Sequence, residues 1–488
     1  MSEGRKGRRD RTRAARKIGV VGGGWAGCAA AVELVRRGHQ VTLFEAARTL
    51  GGRARRVEID GNALDNGQHI LLGAYTETLR LMRIVGIDAD NAMLRLPLQM
   101  RYPQHSDGMD FIAPRLPAPL HLLTALLRAT GLAKEDKLSL ARFSTTARWM
   151  GWQLNTDCTV AELLDRFDQT ERLIRLMWRP LCIAALNTPP ERASAQVFLS
   201  VLRDSLGARR AASDMLIPRV DLTALFPQHA ALFIERQGGV VECGAAVNAI
   251  KREGRCWRVE LNGGPRASRS VALPSATNGS VTAGNVTKGN ATPTPELGCA
   301  LPSVGETFDA IIIATQPGHA AGLLNGLVET GNLTSFNYEP ITTCYLQYKP
   351  NVSLPQPFFA LIDDVAANEW GQFVFDRGQI DKSRPGLLAV VVSAAGDAIA
   401  LGHEALATAI AAQLAKAFRV PELAHPEWVK VISEKRATFS CTPSLVRPDN
   451  ATSLDGLMIA GDYTAGDYPA TLESAIRSGV KAAQGITR

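Results

Sequence analysis

The sequence predicts an α/β fold: a Rossmann-like dinucleotide-binding domain assembled from distant segments, with a discontinuous mixed α+β second domain between them. Three observations predict it. The chain opens with strand, glycine turn, helix, strand and terminal acid; a second strand, turn and helix closes it; and short apolar strand patterns return between long helical stretches.

The first strand is IGVV at 18–21, an apolar run of the buried kind. Gly22, Gly24 and Gly27 follow in G-x-G-x-x-G spacing ahead of a helical segment at 28–37. Gly22 permits the tight turn, Gly24 lets backbone approach a pyrophosphate, and Gly27 lets helix pack closely on strand. The phosphates would sit at the positive end of the helix. A second strand, 40–44, ends on Glu45, where an acidic side chain receives a ribose hydroxyl, which favours an unphosphorylated adenosine ribose.

Two glycine-bearing turns come next, LGGR at 50–53 and DNGQHI at 65–70, of the type that brings backbone close to a ligand. From about 96 to 230 the pattern is helical, with Leu120, Leu123, Leu126 and Leu127 on one face and His121, Thr124 and Arg128 on the other. Strands are expected again at 240–250 and 256–261. Residues 262–306, rich in Gly, Ser, Thr, Asn and Pro, read as a flexible surface insertion. FDAIIIAT at 308–315 resumes the sheet. Strands at 342–348 and 386–393 accompany a helix near 403–418, and the chain closes with a strand after Gly456, the Gly461-Asp462 turn and a helix from about Leu472. The dinucleotide domain thus comprises 17–95, 232–330 and 450–488, and the second domain 96–231 and 331–449.

The formal net charge is +7, but eight Lys and Arg residues lie in the first 17 positions against Glu3 and Asp10. Residues 1–16 form a basic arm with a disordered composition, the rest of the chain carries only about +1, and no nucleic-acid partner is expected. No apolar stretch precedes the first strand, so neither a secretory nor a twin-arginine signal is expected. Eight cysteines without C-x-x-C spacing point to reduced thiols and no metal site. No apolar run is long enough to span a bilayer. The 114–152 segment, with its leucine face, Lys134, Lys137, Arg142, Arg148, Trp149 and Trp152, fits a helix lying on a membrane surface, although a core-packed amphipathic helix also explains the leucines.

GGGWAG at 22–27 with Glu45, LGGR, and AGDY at 460–463 followed by TLESAIRSG at 471–479 resemble the FAD signatures of the flavin amine oxidase and phytoene desaturase superfamily. Within it, segments 64–83, 177–194 and 468–479 look most like the hydroxysqualene dehydroxylase family of bacterial hopanoid pathways, and the resemblance covers nearly the whole chain except the arm and 262–306. It implies the flavin amine oxidase-like fold and FAD as cofactor. Gly22, Gly24, Trp25, Ala26 and Gly27 would hold the pyrophosphate, Glu45 and Ala46 the adenosine ribose, and Gly52 and Arg53 a phosphate. The Gly67, Gln68 and His69 turn would face the flavin ring, and Val247 would pair with adenine through its backbone. Gly461 and Asp462 would contact the ribityl-phosphate, and the N–H groups of Thr471 and Leu472 the flavin pyrimidine oxygen. A covalent link through Cys441 is not expected, because its flanking residues differ from those of tethered relatives.

The resemblance further implies an activity, the replacement of an allylic C–O bond by C–H on hydroxysqualene or a similar long isoprenoid, with hydride from reduced flavin. Hydroxide leaves poorly, so an acid is expected: His69 and Asp376 are the candidates, although His69 reads first as a hydrogen-bonding partner of the flavin or backbone and Asp376 as part of an Asp-Arg-Gly turn. Arg203 and Asp204 are a candidate polar pair facing the cavity. No second G-x-G-x-x-G occurs, so electrons are expected from outside: a separate reductase, a quinol or visiting NAD(P)H. The expected location is cytoplasmic, peripheral on the inner face of the membrane. The competing readings are a carotenoid or phytoene-type desaturase, an amine oxidase, and a non-catalytic flavin-bearing lipid escort.

Overall fold

The computed structural model describes residues 15–261 and 306–487. The predicted basic arm, save its last two residues, and the predicted 262–306 insertion, save Glu306, lie outside the described residues.

Ten strands build two five-stranded sheets: β1 (Lys17–Val21), β2 (Gln40–Glu45), β3 (Val240–Cys243), β4 (Ala310–Ile313), β5 (Tyr338–Gln347), β6 (Phe358–Ala360), β7 (Phe373–Asp376), β8 (Leu387–Ser393), β9 (Trp428–Phe439) and β10 (Leu457–Ile459). The first sheet is parallel, in the order β3-β2-β1-β4-β10. Val20 sits between Leu43 and Ile312, and all three are fully buried. Parallel strands covered on both faces need such continuous apolar runs.

Helix α1 (Trp25–Arg36) covers one face of this sheet and packs on α2 (Leu472–Ile486), the closing helix. Small residues set the distance between them: Ala29, Ala30 and Ala31 are fully buried, and a Cβ on Gly479 would lie 2.1 Å from the Ala26 carbonyl oxygen. Buried Glu473 in the first turn of α2 accepts from Glu77 N, Thr78 N and Thr78 Oγ1, which ties the helix Thr76–Ile84 to it.

The second sheet is antiparallel, in the order β6-β7-β8-β5-β9. Its period of two divides the side chains cleanly: Cys344, Leu346, Val374, Leu388 and Val390 pack under the helix His403–Phe418, while Tyr345, Phe373, Phe375, Ala389 and Val391 face the other way. The helices between 120 and 206 close over that second face.

Two expectations change. The 240–250 run is not one strand: β3 ends at Cys243, Gly244 turns at φ +76°, and Val247–Glu253 joins a separate three-stranded sheet. The 96–230 region is not purely helical, since Met93–Leu96, Gln99–Arg101, Asp110–Ile112 and Met215–Pro218 are strands in small sheets. Gly479→Ala should lower stability by about 1–3 kcal/mol through overpacking at the two-helix contact, read as a drop in thermal midpoint; an unchanged midpoint would show that the contact can spread.

Candidate active site

One cavity of about 1660 Å³ runs from the glycine turns of the parallel sheet to the open face of the antiparallel one. At its dinucleotide end, Gly22 turns at φ +107°, a conformation that glycine adopts without strain, and a Cβ there would strike the Ala314 carbonyl oxygen at 2.6 Å. Gly51 N donates to Gly23 O at 2.9 Å, so the LGGR turn lies directly on the first glycine turn. Glu45 is fixed by two backbone donors, Gly23 N to Oε2 and Ala47 N to Oε1, both at 2.7 Å. Each carboxylate oxygen keeps acceptor capacity for a diol. Arg53 Nη2 meets Asp462 Oδ2 at 2.6 Å, linking the LGGR turn to the closing turn.

The cavity brings together Gly22, Gly24, Trp25, Ala26, Glu45, Ala46, Gly52, Arg53, Gly67, Gln68, His69, Val247, Gly461, Asp462, Thr471 and Leu472, all of which line it. Gly27 does not line it: a Cβ there would stand 1.8 Å from Gly22 O, so its work is helix-to-strand packing. The residues fit FAD on a further observation. A Cβ on Gly67, in the cavity wall, would project into open space and meet nothing nearer than Thr343 Oγ1 at 3.9 Å, so the missing side chain leaves room for a bound group. At the N-terminus of α2, Thr471 Oγ1 caps Ser474 N, and the preceding N–H groups reach the cavity wall.

The other end is apolar, lined by Phe111, Trp178, Leu202, Phe358, Phe373 and Phe375 among others. Phe358 stacks on Phe373 with ring centroids 5.6 Å apart and meets Phe375 at 5.1 Å. This aromatic wall is absent from the sequence reading; the F-x-F alternation in β7, two aromatics on one face of a strand, is the signal that could have found it.

The candidate acids fare differently. Asp376 does not line the cavity; strand alternation turns it to the face opposite Phe375, where it is buried and accepts from Leu354 N, Ser353 Oγ and Gln379 N. It is a helix cap. Arg203 and Asp204 also stay outside: Asp204 accepts from Arg203 Nε and from the Tyr468 hydroxyl, anchoring a ring that does line the cavity. Cys441 is buried off the cavity, its N–H donating to Thr188 Oγ1. His69 is in the wall, but burial first and the Arg53 charge second pull its pKa down from 6.5 to about 4. Its imidazole is therefore neutral near pH 7: it is no imidazolium acid, and it keeps a single N–H.

An NAD(P)-binding Rossmann-like domain model matches residues 20–85, and a flavin containing amine oxidoreductase model matches 280–487. The chain is an FAD-dependent oxidoreductase with the flavin amine oxidase fold. It is 28% identical over 480 residues to a hydroxysqualene dehydroxylase of Rhodopseudomonas palustris, covering 96% of this chain and 97% of that one. A probable zeta-carotene desaturase of Synechococcus elongatus is 23% identical over 96% of this chain and 98% of its own length. Among solved structures, a putative protoporphyrinogen oxidase from Exiguobacterium superposes with TM-score 0.64 at 16% identity, over 97% of this chain and 99% of that one.

The depressed His69 pKa has a measurable consequence. Between pH 6.5 and about 4 the unfolded chain takes up a proton at His69 that the folded chain refuses, so stability falls as pH drops through that window and is fully present above it. The thermal midpoint of flavin-stripped protein should fall more steeply from pH 6.5 to 4 than that of His69→Gln. Parallel curves would mean that His69 titrates normally.

Proposed function

We propose that this oxidoreductase removes the hydroxyl of hydroxysqualene reductively to give squalene in hopanoid biosynthesis. The observation that carries the reading is the continuity of a dinucleotide cleft with a large apolar chamber, in a chain similar over its full length to dehydroxylases of this substrate. FAD supplies a hydride when reduced. Glu45 and Val247 would hold its adenosine, the glycine turns and Arg53 its phosphates, and the Gly67 to His69 turn with the N-terminus of α2 its ring. The chain's own contribution is to keep an allylic centre dry in an aromatic pocket, so that water does not capture it. Electrons would come from a separate reductase, a quinol or NAD(P)H. A desaturase would act on the same class of chain in the opposite direction, and its relatives are the more distant of the two groups named above.

Substrate access at a membrane surface is part of this proposal. A thirty-carbon chain is carried by lipid and not by water, and the cavity has a wall made of two helices, Leu120–Arg128 and Lys134–Trp149. Leu123 lines the cavity while 51% exposed, and Leu120 at 51%, Leu127 at 67%, Leu138 at 65% and Trp149 at 87% extend an apolar face around it. Exposed Arg115, Arg128, Lys134, Arg142 and Arg148 surround that face and outnumber Glu135 and Asp136, a distribution suited to anionic lipid. No helix among the described residues is long and apolar enough to cross a membrane.

Photoreduced protein incubated anaerobically with hydroxysqualene should yield squalene and reoxidised flavin; no mass loss of the hydroxyl oxygen would exclude the activity. Replacing Leu123 and Leu127 by Asp should abolish flotation with anionic liposomes while FAD stays bound, because these side chains face outward. Retained flotation would move the access surface elsewhere.

A further inference from the structure

Dehydroxylation needs help for a departing oxygen, and the two candidate acids leave that need open: Asp376 lies outside the cavity, and no hydrogen bond among the described residues orients the neutral ring of His69. One polar side chain in the wall is instead held in a directed chain of hydrogen bonds. Arg377 Nη1 donates to Gln68 Oε1 at 3.2 Å, Gln68 Nε2 donates to the Tyr345 hydroxyl at 2.8 Å, and that hydroxyl donates to the Asp65 carbonyl at 2.9 Å. A guanidinium only donates and a carbonyl only accepts, so the chain settles which way the Gln68 amide points.

Arg377 is 4% exposed, also donates to the Pro218 carbonyl at 3.1 Å, and makes no ion pair among the described residues. The Asp65 carboxylate accepts from Leu222 N at 2.8 Å and is near enough to favour the charged form of Arg377 without pairing with it. Through the Nη1 bond, the Arg377 charge also bears on Gln68. Drawing electron density toward Oε1 makes the amide N–H groups better donors. Of the two on Nε2, one goes to Tyr345 and the other has no partner among the described residues. The register of the sheet places this amide beside the aromatic wall: Tyr345 lies opposite Ala389 on β8, and Ala389 opposite Phe375 on β7.

We propose that Gln68 is a catalytic hydrogen-bond donor to the hydroxyl oxygen that leaves the allylic carbon, with Arg377 and Tyr345 as positioning residues. The proposal rests on the dehydroxylation reading. The C–O bond breaks with both electrons going to oxygen, and the carbon takes up a hydride, whose electron pair the reduced flavin supplies. The oxygen, negative as it departs, is held by the Gln68 Nε2–H and leaves as water after taking a proton from solvent. Donors aimed at charge that develops only during reaction are the kind that accelerate it.

The test uses holoenzyme and its Gln68→Leu, Tyr345→Phe, Arg377→Lys and Arg377→Met variants, with hydroxysqualene and its acetate ester, whose leaving group needs little help. Wild-type turnover of hydroxysqualene is the first measurement, and its absence defeats the dehydroxylation reading and this proposal with it. Given turnover, Gln68→Leu should slow single-turnover flavin reoxidation about 100-fold with hydroxysqualene and far less with the acetate. A second readout needs no turnover: oxidised wild-type holoenzyme should prefer hydroxysqualene to squalene in a flavin-absorbance titration, and Gln68→Leu should lose about tenfold of that preference. Arg377→Lys should recover part of both effects. Equal slowing on both substrates, or an unchanged binding preference, would reduce Gln68 to a packing residue and overturn the proposal. If Arg377→Met fails to hold FAD, Gln68→Leu and Tyr345→Phe, which leave the buried charge in place, decide the matter.

Discussion

Everything at this site depends on backbone meeting backbone where side chains would not fit. The first glycine turn, the LGGR turn and the end of β4 converge until a Cβ on Gly52 would lie 3.2 Å from Gly24 Cα, one on Gly22 2.6 Å from Ala314 O, and one on Gly27 1.8 Å from Gly22 O. Because those turns touch, the N–H of Gly23 is free to aim at Glu45, and Arg53, one residue past Gly52, reaches Asp462 on the far wall. The cleft is thus bounded by peptide groups and by two side chains that they orient. A single methyl group at Gly27 would separate α1 from β1 and lose both.

Much of this was legible in the sequence, because glycine spacing and apolar runs report local geometry. The helix near 403–418 and the closing helix from Leu472 appear where periodicity put them. Long-range consequences of the strand period were harder to read. Asp376 follows Phe375 directly, and nothing in the string FVFDRG says which of the two looks into the cavity until β7 is paired on both sides. Arg377 was invisible for a similar reason: it lies 309 positions from Gln68, and only the tertiary fold brings them together. Gly244 sits inside VVECGAAVNAI, where valines and small residues continue on both sides of the glycine and hide a change of sheet.

The distribution of charge in the cavity bears on the direction of the chemistry. Desaturation requires a group to accept a proton once hydride has gone. The carboxylates that line the cavity are Glu45, Glu434 and Asp462; Glu45 is held by two amides, Asp462 by Arg53, and Glu434 lies beside the same turns, accepting from Asn66. His69, with its pKa near 4, accepts a proton as reluctantly as it supplies one. What the aromatic end has in abundance is apolar surface and one directed amide. Such a place suits bond heterolysis assisted by hydrogen bonding better than proton abstraction.

The helix Leu120–Arg128 makes the opposite choice from an ordinary surface helix, and the reason is physical. Its inward side chains are His121 and Ala125, both nearly fully buried, while Leu120, Leu123 and Leu127 face out. Both His121 ring nitrogens lack partners among the described residues, and burial, followed by the Arg210 and Arg148 charges, lowers its pKa and favours the neutral ring. In water this arrangement forfeits leucine burial worth about 1.5–3 kcal/mol per side chain and leaves a polar ring dry. Under the proposed membrane access, the outward leucines would meet an apolar medium; the Lys137 ammonium donates to the Leu127 carbonyl and holds the helix end against its neighbour. A helix turned this way would lower the free energy of the protein only with that medium present, and the proposed access route would then open the chamber toward the phase that carries a long isoprenoid.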